Sequence, residues 1–228
     1  MKVTVLKYGL VALLALLPIL VTGCVLDIFS AEESSENDNE YNAPEDYTEP
    51  PIPAHFTTYT DEIGLFSIAY PPDWELALSE IDNVNQATED ILLSIDSNLP
   101  VEQASFIFIA GLPIETGYLP NVSIVCESLP GTGWAHDKAV EAELLSIRQI
   151  AKDYHEFSQV KTTIDGRKAT IVHWEGTDAT FGKMQSLTMI TLVGKIVWLV
   201  GCSVEDLGMF TEYEDDLYHV VRSLRILR

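Results

Sequence analysis

The stretch FSQVKTTIDGRKATIVHWE, residues 157–175, decides the fold class. Two runs rich in β-branched and aromatic residues flank Asp165-Gly166, and Asp-Gly between such runs predicts a β-hairpin with a two-residue turn. Residues 184–192 and 196–204 form a second pair of apolar runs around Val193-Gly194-Lys195, which predicts another hairpin. Strands joined by such short turns are antiparallel, so this half of the chain predicts an antiparallel sheet.

Two amphipathic helices are predicted on either side of these hairpins. Asp137 can cap the first, and Thr211-Glu212-Tyr213-Glu214 fits the capping box of the second. The stripe of the first consists of Val140, Leu144, Ile147 and Ala151, continued by Tyr154, and that of the second of Leu217, Val220, Val221 and Leu224. Such stripes must be buried against a sheet, so the predicted fold class is α+β, an antiparallel sheet flanked by helices.

Shorter strands are predicted before the first helix. They lie at Leu65–Tyr70, where Pro71-Pro72 forces a turn, and at Trp74–Leu78, Ser105–Ala110 and Val122–Glu127. Residues 86–96 fit a short helix or a strand, and both alternatives stay open. Trp74 and Trp198 are predicted in the core.

The first 24 residues have the layout of a secretory signal peptide. Lys2 and Lys7 precede an apolar run that ends in Val21-Thr22-Gly23-Cys24. A cysteine directly after Thr22-Gly23 resembles the lipobox of prokaryotic lipoproteins. The resemblance implies that residues 1–23 are removed, and that Cys24 carries the lipid which anchors the protein at the extracytoplasmic face of the cell membrane.

The alternative is an uncleaved membrane anchor, because residues 8–29 are almost wholly apolar and about 20 such residues span a bilayer. Pro18 would kink that helix, and a plain anchor does not require the small-small-Cys ending. Both alternatives tether the chain to a membrane.

The segment that follows the signal peptide differs in composition from the rest of the chain. Residues 25–55 contain nine acidic residues and no Lys or Arg, so residues 24–55 are interpreted as a lipidated cysteine plus a disordered acidic tether. The whole chain of 228 residues has a net charge of −22. Without the nine acids and the two lysines of residues 1–55, 11 basic and 26 acidic side chains remain, a net charge of −15 for the domain at 56–228. Such acidity argues against a nucleic-acid partner and is compatible with a basic one.

The order of these elements resembles the PsbP/Mog1-like domain family over about residues 57–228. Its domains open with a Gly-aromatic strand, Tyr-Pro and Trp, here Gly64–Trp74, and carry a hairpin with Gly-x-x-Ala, here Gly166–Ala169. They end in a helix with a Ser-apolar pair, here Ser223-Leu224. The resemblance implies an antiparallel sheet sandwiched by helices and a non-enzymatic accessory, assembly or binding role. Photosystem members support the oxygen-evolving cluster and a nuclear member binds a small GTPase, but no motif in this sequence carries either role.

The residues themselves predict no catalytic, cofactor or metal site. The five histidines, His55, His136, His155, His173 and His219, include no His-Glu-x-x-His pattern, and no Gly-x-Ser-x-Gly or phosphate-binding glycine loop occurs. Gly131-Thr132-Gly133-Trp134 is interpreted as a turn into the Asp137 helix. The alternative is a functional loop with His136.

Cys126 and Cys202 each lie within an apolar predicted strand. By alternation, Cys126 shares a face with Val122 and Ile124, and Cys202 shares one with Trp198 and Val200. Two interpretations remain open: buried free thiols, or a disulfide that joins the two strands, which needs Cα atoms within about 7 Å.

The sequence therefore predicts a lipid-anchored accessory or assembly protein, not an enzyme, whose domain binds a protein partner of unknown identity. The alternative is a small-molecule or cation-binding lipoprotein, which the acidity suggests. A hydrolase would require two carboxylates, or a Ser or Cys with a His, converging in a cleft.

Overall fold

The described part of the chain contains ten strands and two long helices. The computed structural model describes residues 51–86, 104–114, 117–131, 133–178, 182–205 and 207–227. The strands are β1 (Thr57–Thr60), β2 (Phe66–Tyr70), β3 (Glu75–Leu76), β4 (Ala104–Ile114), β5 (Gly117–Ser128), β6 (Lys152–Ile164), β7 (Arg167–Asp178), β8 (Gly182–Val193), β9 (Ile196–Val204) and β10 (Arg225–Ile226). The helices are α1 (His136–Ile150) and α2 (Leu207–Arg222), with a 3₁₀ helix at Leu78–Glu80.

The strands form two antiparallel sheets. The large sheet has the order β3-β4-β5-β9-β8-β7-β6, and the small sheet has the order β1-β2-β10. Adjacent residues of β9 face two different cores: Leu199 packs with Val140 of α1, whereas Val200 packs with Leu217 of α2 and Ile68 of the small sheet. Both faces of the large sheet are therefore covered, and the predicted α+β class with an antiparallel sheet flanked by helices is confirmed.

The two predicted hairpins are confirmed. Asp165 and Gly166 connect β6 to β7 with φ values of 53° and 72°, both in the left-handed region. This is the type I′ geometry that matches the twist of the flanking strands, and Gly adopts it without strain. Gly194, with φ of 64°, and Lys195 connect β8 to β9.

The start of α1 differs from the predicted cap. The helix begins at His136 after Ala135, whose side chain makes no capping hydrogen bond. Asp137 therefore lies in the first turn, where a negative charge is still favourable, and its carboxylate is 3.0 Å from Lys161 Nζ. The predicted stripe is confirmed at Val140, Leu144 and Ile147, which are buried. Tyr154, predicted to continue it, lies in β6 instead.

The start of α2 contradicts the predicted capping box. The helix begins at Leu207, so Thr211 lies inside it and does not cap it. The additional turn places Phe210 in the core, where its ring stacks on His173. Burial of a phenylalanine side chain contributes more than a cap, which explains why packing overrides the local signal.

Of the remaining predictions, some are confirmed, one is wrong in extent, and others lie outside the described residues. The strand predicted at 74–78 is reduced to the two residues of β3, followed by the 3₁₀ helix. Trp74 and Trp198 are buried, as predicted. The signal peptide, Cys24 and most of the tether lie outside the described residues, as do residues 87–96, although 81–86 are helical. None of the described helices is long and apolar enough to cross a membrane.

Candidate functional site at the free edge of the large sheet

Strand β6 is the last strand of the large sheet. It has 13 residues and pairs with β7 on one side, and in the described part of the chain no strand pairs with its other side. Phe157 and Val160 of β6 are 43% and 44% exposed. A long edge strand with exposed apolar side chains is a ready surface for pairing or docking. This edge is therefore the main candidate for contact with another molecule.

Two irregularities in the pairing of β6 with β7 shape this edge. The register shifts between Lys152 and His155, and again between Glu156 and Ser158. A bulge adds a residue to one strand that has no paired residue on the neighbouring strand, and it changes the direction in which the nearby side chains point. The second shift leaves Phe157 without a partner of its own on β7, and its ring contacts His173 instead.

Four aromatic rings contact one another in a row that leads from the protein surface into the core. We call this row the aromatic ladder, and it consists of His155, Phe157, His173 and Phe210. The ring centroids of His155 and Phe157 are 4.9 Å apart, edge to face. Those of Phe157 and His173 are 4.6 Å apart, and those of His173 and Phe210 are 4.0 Å apart and nearly parallel. Phe210 is buried, so the ladder holds the exposed Phe157 ring in a fixed position.

A chain of polar contacts orients the central histidine. His173 Nε2 is 3.2 Å from Gln185 Oε1, an acceptor, so the tautomer with a proton on Nε2 donates a hydrogen bond here. Gln185 Nε2 lies 3.5 Å from Glu175 Oε2, and Lys183 Nζ lies 2.8 Å from the same oxygen. Burial lowers the pKa of His173, and the hydrogen bond from Lys183 lowers the pKa of Glu175. Both shifts favour an uncharged His173 ring and an ionised Glu175 carboxylate at neutral pH.

The ladder presents an apolar ring to solvent. Among the described residues, no hydroxyl or thiol group hydrogen-bonds to His155 or His173, so neither histidine has a nucleophile to activate. Aromatic residues, phenylalanine included, are enriched in protein interfaces, where a polar rim surrounds them, so this arrangement is compatible with binding.

The other face of β6 borders a groove against α1, which we call the charged groove. Its volume is about 250 Å³. The lining residues are Asp137, Val140, Glu141, Leu144 and Arg148 of α1 and Gln159 and Lys161 of β6.

Ion pairs border the charged groove. Lys161 pairs with Asp137 at 3.0 Å, and Arg148 pairs with Glu156 at 3.1 Å. Glu141 is exposed and has no ion-pair partner among the described residues. Two carboxylates, Asp137 and Glu141, and two cations, Arg148 and Lys161, line the groove. Glu141 is the one lining charge without an ion-pair partner among the described residues, so the unpaired charge of the lining is negative.

Cys126 and Cys202 are free thiols, so the predicted alternative of a disulfide is not realised. They lie on the neighbouring strands β5 and β9, but Cys126 pairs with Trp198 and Cys202 pairs with Val122. An offset of four residues separates them by about 13 Å along the strands, well beyond the reach of a disulfide. Burial raises the pKa of both thiols, that of Cys126 to about 12, so both are inert.

The loop before α1 is a packed turn. Gly131 and Gly133 have φ values of 74° and 82°, and Trp134 Nε1 donates to Pro130 O at 2.9 Å. The Trp134 side chain packs against the α1 core, which favours the predicted interpretation as a turn. Thr132 lies outside the described residues.

His136 contacts a hydroxyl group, but not in a cleft. Its Nε2 lies 3.1 Å from Thr170 Oγ1, and burial lowers its pKa. Thr170 is fully buried beneath the start of α1. A substrate cannot reach this hydroxyl, so the contact is structural.

Two carboxyl groups that the sequence analysis missed meet beneath α1. Glu143 of α1 is 0% exposed and Glu127 of β5 is 3% exposed. Burial, followed by the charge of Glu127, raises the pKa of Glu143 well above its ordinary value. Glu143 lies three residues after Val140 and four before Ile147, so the helical stripe could have placed it inside. Both side chains are buried, so these two carboxyl groups do not converge in an open cleft.

The described residues bring no group of three or more His, Cys, Asp or Glu side chains together in a way that could hold a metal ion. The cation-binding alternative therefore has no preformed centre in that part of the chain.

No family model and no curated protein matches this chain, whereas several solved structures do. It is similar to cyanobacterial PsbP (CyanoP) from Synechocystis at 13% identity and a TM-score of 0.47, over 76% of this chain and 93% of that one. It is similar to the Ran-binding protein Mog1p of Saccharomyces cerevisiae at 10% identity and a TM-score of 0.42, over 75% and 95%. LpqN, involved in cell envelope biogenesis of Mycobacterium tuberculosis, matches at 10% identity and a TM-score of 0.46, over 76% and 92%. The similar structures thus include a PsbP and a Mog1 protein.

Proposed function

We propose that this chain is a membrane-tethered extracytoplasmic lipoprotein whose α+β domain is a non-enzymatic accessory module that binds another protein. The surface that meets the partner is the aromatic ladder with the adjacent edge of β6. Cys24 carries the lipid, and residues 25–55 hold the domain away from the bilayer.

The exposed ring of Phe157 is the observation that carries this proposal. Leaving 43% of a phenylalanine side chain in water is unremarkable when the residue stands alone. Phe157, however, is fixed by two neighbouring histidine rings and lies three residues from the equally exposed Val160. A rigid apolar group on an open edge supports docking, because little conformational entropy is lost when a partner covers it.

The alternative of a small-molecule module has weaker support. The charged groove, at about 250 Å³, is smaller than typical ligand pockets of roughly 300–1,000 Å³ and is bordered by ion pairs rather than by aromatic rings. Binding of a metabolite without any protein partner would favour this alternative.

Site-specific photocrosslinking in cells tests the docking surface. A photoreactive phenylalanine analogue replaces Phe157 in the full chain, and a matched chain carries it at Ile63, which is 63% exposed in the turn before β2. We expect one dominant protein adduct from position 157 and little or none from position 63. No adduct from 157, or equal labelling from both positions, would contradict the proposal.

The tether is tested separately by metabolic labelling with an alkyne fatty acid. We expect the wild-type chain to be labelled, and Cys24→Ser to be unlabelled and heavier by the uncleaved residues 1–23. A labelled Cys24→Ser chain would exclude anchoring at Cys24, and an unlabelled wild-type chain of full mass would favour the uncleaved anchor.

A further inference from the structure

We infer that β6 and the charged groove together receive an extended segment of the partner protein as an additional strand of the large sheet. The segment has basic side chains on one face and apolar side chains on the other. This inference rests on the proposed function, since it specifies the chemistry of the partner that the free edge would bind.

The hairpin turn determines which backbone groups of β6 face outward. In a two-residue turn, Ile164 and Arg167 exchange the hydrogen bonds next to the turn, and bonded pairs then alternate along an antiparallel ladder. Residues 160 and 162 therefore bond to β7, whereas the N–H and C=O groups of Gln159, Lys161 and Thr163 point away from it. From Ser158 to Ile164 the register is regular, so these outward groups are evenly spaced for an added strand.

The groove side of β6 selects the charge of the added strand. Gln159 and Lys161 line the charged groove, so alternate side chains of an added strand would enter its outer part. Lys161 and Arg148 are already paired with carboxylates, whereas Glu141 has no ion-pair partner among the described residues. A Lys or Arg of the incoming strand fits this position.

The opposite side of β6 selects apolar side chains. Val160 lies opposite Ile171 of β7, which packs in the α2 core, so Val160 is on the same face as the aromatic ladder. The intervening side chains of an added strand would lie beside Val160 and Phe157, the two exposed apolar groups of β6. The two faces together define an amphipathic, basic strand.

Charge distinguishes this partner from the other possible occupants. A second copy of the domain has a net charge of −15, and the chain's own segment 25–55 contains nine acids and no cation. Both would bring more negative charge to a groove in which the unpaired charge is already negative. The register shift between Glu156 and Ser158 also limits the regular edge to seven residues, which suits a short segment.

Peptide binding to the purified full chain in detergent tests this inference. The probe is an acetylated and amidated heptapeptide of alternating Val and Lys. One control replaces Lys by Glu, and a second keeps the Val-Lys sequence but carries N-methyl groups on alternate backbone nitrogens. We expect saturable binding of the probe with slowed amide exchange at Gln159, Lys161 and Thr163, and affinities at least about tenfold weaker for both controls.

Lys161 allows a matched pair of variants. Lys161→Pro removes the outward N–H, whereas Lys161→Ala removes only the side chain and its pairing with Asp137. Proline is tolerated on the outer side of edge strands. We expect Lys161→Pro to weaken probe binding about tenfold and Lys161→Ala to weaken it about threefold or less.

A second pair of variants does not depend on the folding of the proline variant. Glu141→Lys reverses the unpaired charge in the groove, and Glu62→Lys makes the same change of net charge in an exposed turn beside the small sheet. We expect only Glu141→Lys to weaken binding of the Val-Lys probe. Equal weakening by both variants, or tight binding of the N-methylated probe, would overturn the inference in favour of non-specific charge attraction.

Crosslinking from position 157 separates the two proposals. If strand addition fails but the proposed function holds, Lys161→Pro leaves the adduct from position 157 at the wild-type level. If no adduct forms from position 157 in any variant, the proposed function itself fails.

Discussion

The large sheet ends differently on its two sides. At one side β3 has two residues, and at the other β6 has 13. Beyond the end of β3, the side chain of Asn85 bonds to the backbone of β4. Its Oδ1 accepts a hydrogen bond from Phe106 N at 2.9 Å, and its Nδ2 donates one to Phe106 O at 3.2 Å. An amide side chain thus satisfies the outer edge of β4 as another strand would.

In the part of the chain that the structure describes, one edge of the sheet is therefore closed and the other is open. Proteins usually protect a sheet edge with short strands, bulges or covering groups, because an open edge invites pairing. The β3 side has two of these protections, a short strand and the covering amide of Asn85. The side of β6 has bulges in its first half only, and the regular half carries exposed Val160. Among the described residues the two edges thus differ in protection, and this difference supports the proposed docking at β6.

The largest effect on stability is expected where the open edge is anchored to the core. Trp174 of β7 is buried, donates to Thr188 Oγ1 at 3.0 Å and stacks on Tyr154 of β6 with centroids 5.7 Å apart. Trp174→Ala should lower the free energy of unfolding by about 3–5 kcal/mol, as measured by urea denaturation. Trp134→Ala is the matched control, because Trp134 is only half-buried and should cost less. An equal loss of unfolding free energy in both variants would mean that Trp174 does not stabilise this part of the sheet more than Trp134 stabilises its own surroundings.

A smaller effect, dependent on pH, is expected in the half of the sheet nearer the closed edge. The pKa of Glu143 is raised in the folded state, so its contribution to stability is complete below about pH 4.5 and is lost as the pH rises towards the folded value. The free energy of unfolding should therefore fall by up to about 1.4 kcal/mol per pH unit through this group. Glu143→Gln should remove that slope and be more stable than wild type at neutral pH.

Glu141→Gln is the control for the pH measurement, since Glu141 is exposed on the same helix. It should keep the wild-type slope. An unchanged slope in Glu143→Gln would show that the buried pair does not hold a proton. The open edge responds in the opposite sense: burial lowers the pKa of His173, so stability falls as the pH drops below about 6.5.

The parts of the fold that the sequence predicts are those determined by neighbouring residues. Asp165-Gly166 requires a tight turn with positive φ, and the apolar runs on both sides can then only pair with each other. The spacing of Val140, Leu144 and Ile147 determines the buried face of α1 in the same way. The pairing of β5 with β9 depends on residues about 75 positions apart, and no local pattern encodes it.

The candidate site was beyond prediction for a related reason. His155, Phe157 and His173 are visible in the alternating strands, but the bulge beside Phe157 resets the register that would bring them together. Phe210 completes the ladder only because α2 begins a turn earlier than its capping signal predicts. Contacts between residues far apart in the sequence determine both the bulge beside Phe157 and the start of α2, and such contacts cannot be predicted from local patterns in a single sequence.

The smallest effect on stability, and the most direct test of the two edges, comes from opening the closed one. Asn85→Ala removes two hydrogen bonds to Phe106 and should cost about 1–2 kcal/mol, with faster amide exchange at Phe106. Asn83→Ala is the matched control, because Asn83 is exposed and bonds only to the Glu80 side chain, so its cost should stay within about 0.5 kcal/mol. If opening that edge also creates a binding site for the alternating Val-Lys probe, any free edge suffices. If the probe still binds only at β6, the charged groove and Val160 supply the selectivity, because backbone groups alone are alike at both edges.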